Sequence, residues 1–310
     1  KILSKANFNE VGATVELPTM DVEKSYTINK YDLISLYPKT NEDAALHRIS
    51  SDKPISVTKV LGEMRLPFGF AYIDFGIAQV HPVQSWGKTH IVTPMRIQEL
   101  EPDGDYKASY ISLVAKEATT VTVLPYNETI NLEAGQIYLY TDLPYTISPM
   151  MIISEKPIEV FQYFLASMNK VFGKKTEGSL ISTVLTTVTR EFGDPSLTQI
   201  VPVEQYTKHF KFNAETAAAD IGRSTSYLMI ISPENASASL TYEGESSVPV
   251  DFPADQHIEG YKFAYVKLDL NKKGSVETSE PSTIQYYHYT NNNVTSCFRA
   301  LGANFKVINP

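Results

Sequence analysis

The sequence predicts an all-β protein of tandem β-sandwich-like repeat units, two complete and one partial, and three observations predict it. A Lys-Pro-Ile segment recurs along the chain, Tyr (19) and Phe (14) are abundant, and no segment longer than about ten residues shows helical periodicity with caps at both ends. Aromatic residues of this kind favour strands. The apolar fraction of 43% and charged fraction of 20% belong to a folded chain rather than a disordered one. With 310 residues the chain exceeds the roughly 250 that one core commonly organises, so several units are expected.

The clearest repeat is Ser51-Asp52-Lys53-Pro54-Ile55-Ser56-Val57, which returns as Ser154-Glu155-Lys156-Pro157-Ile158-Glu159-Val160. A degenerate third copy reads Ser279-Glu280-Pro281-Ser282-Thr283-Ile284-Gln285. Each reads as a turn followed by a strand, with proline at the strand's start, where a missing N–H does least harm. Ile158, Val160 and Gln162 alternate with Glu159, Phe161 and Tyr163, a period of two with both faces at least partly covered.

A second element recurs as well. Gln79-Val80-His81-Pro82-Val83-Gln84-Ser85-Trp86 matches Gln199-Ile200-Val201-Pro202-Val203-Glu204-Gln205-Tyr206, with Tyr206 in the place of Trp86. Ser109-Tyr110-Ile111 then matches Ser226-Tyr227-Leu228, and Tyr138-Leu139-Tyr140 matches Tyr265-Val266-Lys267. Taken in order, the motifs divide the chain into a partial first β unit (1–65), a complete second β-sandwich unit (66–165), an insertion or linker hairpin (166–196), a complete third β-sandwich unit (197–290) and a C-terminal tail (291–310). In the first unit, Thr14 to Pro18 stands where Val121 to Pro125 stands later, and the front strands are missing. A half-built sandwich leaves apolar side chains and backbone groups uncovered. The tail, Asn304 to Pro310, resembles the unit-opening strand Lys88 to Pro94; it is expected either to fold back on residues 12–60 or to open a further unit. Ala214 to Ile221 is at most a short helical turn.

Charge and composition narrow the partners. A net charge of −8 repels a phosphate backbone, which argues against nucleic acid. No apolar run approaches the 18 or so residues of a membrane helix, so no membrane span is expected in this chain. Lys1 to Lys5 carry no apolar h-region, and a signal peptide is expected to have been removed or to lie upstream. The single cysteine, Cys297, excludes an internal disulfide and reads as a buried thiol or as one linked to a partner molecule. Asn127, Asn235 and Asn293 each open an Asn-x-Ser/Thr triplet, a glycosylation acceptor that chance composition also produces.

Motifs that carry chemistry are sparse. His47, His81, His90, His209, His257 and His288 are scattered without metal-ligand spacing, and His90 and His209 read as strand residues. Glu101-Pro102-Asp103-Gly104-Asp105 could offer oxygens to calcium, yet lacks the glutamate that closes an EF-hand loop and reads as a solvated turn. There is no nucleophile elbow, P-loop or dinucleotide glycine pattern. No catalytic, cofactor-binding or metal residue is assigned, no cofactor is expected, and the chain reads as a non-enzyme. Trp86, the only tryptophan, is either a core anchor of its unit or a weak candidate for a ligand-stacking platform.

Four motifs in chain order carry a resemblance: Ser51 to Val57; Pro82-Val83-Gln84-Ser85-Trp86-Gly87-Lys88; Thr119-Thr120-Val121-Thr122-Val123; and Gly193-Asp194-Pro195-Ser196 leading to Val201 to Tyr206. Over most of residues 49 to 290 they are similar to the IgG-Fc-binding protein N-terminal domain family. The resemblance implies a secreted, extracellular protein of mucus or matrix, one that adheres or scaffolds without catalysis. Its implied partners are extracellular proteins or glycans, other copies of itself, or adjoining modules. The family supplies no catalytic set, and the matching residues are structural in type, so Fc binding transfers to no position. A second class stays open: a secreted carbohydrate-active β-sandwich protein, either a lectin or a glycoside-acting enzyme, which would need two carboxylates about 5 to 10 Å apart across a cleft.

Overall fold

The computed structural model describes residues 1–3, 23–36, 48–64, 66, 74–96, 106–107, 109–140, 149–164, 195–214, 224–290 and 296–308. The chain is all-β, and among the described residues the helical pieces are two single 3-10 turns, Val83–Ser85 and Val203–Gln205. Thr14 to Pro18, Glu101 to Asp105, Asn293, most of the expected insertion and most of Ala214 to Ile221 lie outside the described residues.

The strands assemble in chain order. β1 (Ile2–Leu3), β2 (Glu23–Lys24) and β3 (Arg48–Ile49) make a small antiparallel sheet with β1 in its centre. β4 (Thr58–Met64) pairs with β5 (Asp74–Gln79). β6 (Gly87–Val92) follows the first 3-10 turn, and β7 (Met95–Arg96) makes a short ladder with β8 (Tyr106–Lys107). β9 (Ser109–Ala115), β10 (Thr119–Leu124), β11 (Glu128–Leu132), β12 (Ile137–Tyr140), β13 (Met150–Phe164) and β14 (Ser196–Gln199) join β6 in a seven-stranded sheet. β15 (Thr207–Asn213), β16 (Ser224–Pro233), β17 (Ala238–Tyr242), β18 (Val248–Pro249), β19 (His257–Ile258), β20 (Tyr261–Lys267), β21 (Lys273–Thr290) and β22 (Ser296–Ala300) form an eight-stranded one.

β13 and β21 organise these two large sheets in the same way. The first part of β13, Met150 to Ser154, pairs with β6 and β10, and its second part, Ile158 to Phe164, pairs with β9 and β14. β21 repeats the scheme, with β15 and β17 on its first part and β16 and β22 on its second. Each ladder shifts register at the proline: between Ile153 and Ile158 against β6, and across Glu277 to Ser282 against β15. Pro157 and Pro281 therefore sit inside the long strands, at the bend, rather than at a strand's start as the sequence suggested. A residue without an N–H is tolerated where the ladder is already interrupted.

The bend lets each sheet curl over its own core. Val92, Leu113, Val121, Val123, Leu132, Ile152 and Val160 meet in the first core although they come from both parts of the sheet. Full burial of each such side chain contributes about 1.5–3 kcal/mol. Phe210, Phe212, Leu228, Ile230, Leu240, Val276 and Ile284 do the same in the second.

Ile158 to Val160 and Thr283 to Gln285 lie in strands as expected, but Ile55 to Val57 does not: β4 begins only at Thr58. No strand among the described residues lies beside the first copy where β6 and β10 flank β13, so its ladder starts after the proline rather than before it. The strand that follows each copy still docks in one way. Val80 donates to Val57 O at 2.9 Å, Ile200 to Val160 O at 2.8 Å and Leu301 to Ile284 O at 2.9 Å.

Candidate functional site

The Pro-Val motif makes a 3-10 turn because proline presets φ at the entry and the following residues fold back on its carbonyl. Ser85 N donates to Pro82 O at 2.8 Å and Gln205 N to Pro202 O at 2.9 Å. Trp86 and Tyr206 close the two turns with bonds to Val83 O and Val203 O. These turns come together. The Gly87 α-carbon packs so closely on Pro202 that an added Cβ would lie 2.2 Å from Pro202 Cβ, and Lys88 N donates to Glu204 Oε1 at 2.8 Å.

The tail completes the convergence. Asn304 N donates to Gln205 O at 2.8 Å, and Ile308 N to Gln84 O at 2.9 Å. The buried Gln205 amide acts as a strand partner for the tail: Lys306 N donates to its Oε1 at 2.7 Å, and its Nε2 donates to Lys306 O at 2.7 Å. The same Nε2 reaches Ser85 O at 3.1 Å, so one side chain ties both turns to the tail. Among the described residues these tail bonds go to the two turns; the expected fold-back partner, residues 12–60, lies partly outside the described residues, at 12–22 and 37–47. A contact confined to residues 197–290 is not observed, because Gln84 takes part. The reason is a polar one: the turns leave carbonyls that need donors, and the extended tail supplies them.

Beside this junction lies a buried acid. Glu159 is 3% exposed, and His81 Nδ1 stands 3.5 Å from its Oε1. Burial pushes the Glu159 carboxyl above its usual range, while His81 and Gln199 pull it back. Phe305 of the tail meets the His81 ring edge-on, with centroids 4.9 Å apart. His90, fully buried in β6 with Nδ1 unpartnered by any hydrogen bond, is held down to about 3, first by desolvation and then by His81. His90 and His209 are both strand residues; His209 is exposed and pairs with Glu277.

The sequence-assigned residues do not gather at one place. Asn127 and Asn235 are exposed in the turns that follow β10 and β16. Cys297 lies in β22 in register with His288; the residue is exposed overall, while burial around the sulfur pushes its thiol above the usual range and Arg299 pulls it back. Trp86 is half-buried, with Nε1 donating to His81 O at 3.2 Å, whereas Tyr206 is buried. Trp86 is thus less enclosed than Tyr206, whose buried ring meets the half-buried Tyr261 edge-on with centroids 6.4 Å apart. The sequence missed Gln205, His81 and Glu159. A charged residue inside Ile158-Glu159-Val160-Phe161 was the available signal, since a carboxylate within a strand covered on both faces requires a partner.

The junction holds the Gln205 amide, which joins segments of the chain, and one acid–imidazole pair, beside which Glu159 Oε1 and both amide atoms of Gln199 are buried without a hydrogen bond. Among the described residues there is no group of three His, Cys, Asp or Glu side chains able to hold a metal, and no helix long and apolar enough to cross a membrane.

A family model described as IgGFc binding protein matches residues 2–290. No curated protein matches the chain significantly. Among solved structures, an anti-sigma factor domain-containing protein is matched at 11% identity and a TM-score of 0.18, covering 70% of this chain and 98% of that one; so low a score carries no structural argument.

Proposed function

The chain belongs to the IgGFc-binding protein family, and on that premise we propose that it is an extracellular adhesive or scaffolding module that holds protein or glycan partners without catalysis. The observation that carries the reading is the junction. Gln205 joins both turns to the tail and Glu204 ties the second turn to β6, which suits a part that presents surfaces. The division into a partial unit, two complete units and a tail belongs to the same proposal, as do glycans on Asn127, Asn235 and Asn293 and a partner-linked Cys297. Immunoglobulin Fc is the first partner to test.

The experiment is biolayer interferometry of the chain against immobilised Fc, beside a glycan array and hydrolysis assays on chromogenic glycosides. Saturable binding to Fc or to one glycan class, with no turnover, supports the module. Turnover that disappears when two carboxylates are replaced would establish the glycoside-acting reading instead. The half-buried Trp86 favours a glycan over a purely structural role to the extent that Trp86→Ala abolishes array binding while leaving the thermal midpoint high.

A further inference from the structure

Three strand pairs recur in one register: Val60 opposite Ile77, Tyr163 opposite Leu197, and Tyr287 opposite Phe298. Their equivalence is fixed by the three docking bonds, each placed three residues beyond the pair on both strands. Two of these pairs are covered. Leu197 packs with Phe161 against Met64, Leu66 and Ala78, and Ala78 points to the opposite face of β5 from Ile77. Phe298 and Tyr287 pack against Phe164, on the opposite face of β13 from Tyr163, and Ala300 N donates to Thr198 Oγ1 at 3.1 Å. In each case the front of one pair lies on the back of the preceding pair.

Among the described residues the succession is open at both ends. Val60 and Ile77, on the front of the first pair, are 52% and 55% exposed, whereas Leu197 and Phe298 in the corresponding places are 4% and 5% exposed. Cys297 and Arg299, on the back of the last pair, are exposed, and the Arg299 guanidinium lies over the Tyr286 ring at 4.9 Å. On that same face Tyr286 and His288 of β21 are buried, so the back is open along β22; an apolar front and this open β22 edge are the two halves of a contact the molecule already makes twice. Contacts that relate unlike faces join copies head to tail, into a ring where the rotation closes and into an open filament where it does not.

We propose that the Val60–Ile77 face of one copy seats on the Cys297–Arg299 face of a second copy, continuing the stack between molecules. The inference goes beyond the adhesive reading and is separable from it, since Fc or glycan binding can succeed or fail without altering self-association. Ile77→Lys places a cation against Arg299 and breaks the front, while Cys297→Lys breaks the back. Both sites are exposed, so both variants are expected to fold. Circular dichroism checks this, and Val60→Lys takes the place of Ile77→Lys if the latter does not fold.

Sedimentation velocity on the full chain, from about 1 to 100 µM, reads the outcome. The unaltered chain is expected to grow in mass with concentration. Each variant alone is expected to remain monomeric, its association weakened at least about tenfold. An equimolar mixture is expected to give a dimer that grows no further, because one intact front meets one intact back. An unaltered chain that stays monomeric throughout overturns the proposal. So does association that is lost in Ile77→Lys but retained in Cys297→Lys, which would mean that two fronts meet.

Discussion

Acid should unfold this protein partly through one ring. His90 is fully buried in β6 and its Nδ1 has no hydrogen-bond partner, so the charged form is excluded from the native state until about pH 3. Between that value and the ordinary 6.5 the unfolded chain carries a proton on His90 and the folded chain does not, so stability falls as pH falls. The window spans about 3.5 pH units, and at about 1.36 kcal/mol per unit the stability lost across it is about 5 kcal/mol, of which about 3 kcal/mol is gone by pH 4. Phe210 occupies the corresponding place in β15, opposite Val276 as His90 is opposite Ile152. The fold therefore accepts an aromatic ring without a charge at this position. His90→Phe should flatten the acid limb by about 3 kcal/mol between pH 7 and pH 4. Any cost of the larger ring, about 1–3 kcal/mol, shifts the curve without changing its slope. Urea titrations at half-unit pH steps on both proteins measure this. Parallel stability profiles would refute the reasoning, for they would mean that His90 is protonated alike in the folded and unfolded states.

Other substitutions test the junction. Gly87→Ala forces a Cβ into Pro202 and Glu204 and should cost about 1–3 kcal/mol in a denaturant titration, since one side of the clash is a rigid pyrrolidine ring. Gln205→Ala removes the amide that holds Lys306 and Ser85, and should release residues 304 to 308 to fast hydrogen exchange while the amides of β13 stay protected. Tyr206→Phe should be neutral or stabilising by about 0.5–1 kcal/mol, because the Tyr206 hydroxyl is buried without a hydrogen-bond partner; a clear loss in thermal midpoint would reveal a partner for that hydroxyl.

What could be read from the sequence was local. Alternation in Ile158 to Tyr163 and the recurrence of Lys-Pro-Ile identify strands because each signal lies within a few residues and reflects covered faces. The Pro-Val turns were visible as repeats, though not as 3-10 turns. Pairings between distant segments were not legible. Ser196 to Gln199 docks beside Phe161 to Phe164, and nothing in its composition names that neighbour. Gln205 also gave no sign, since an amide becomes a connector only when two turns and the tail meet around it. Proline misled for a specific reason: it marks a bend inside β13 and β21, and a bend looks like a beginning when only one side of it is considered.

The two bent strands also decide how the molecule bears force. A pull along β13 loads its hydrogen bonds to β6, β10, β9 and β14 sideways, because ladder bonds run perpendicular to antiparallel strands. Bonds loaded in that direction must rupture together, whereas the β10–β11 hairpin, pulled apart at its open end, would peel one bond at a time. A tether anchored through the long strands thus resists tension as a clamp, and it gives way first at its peripheral hairpins.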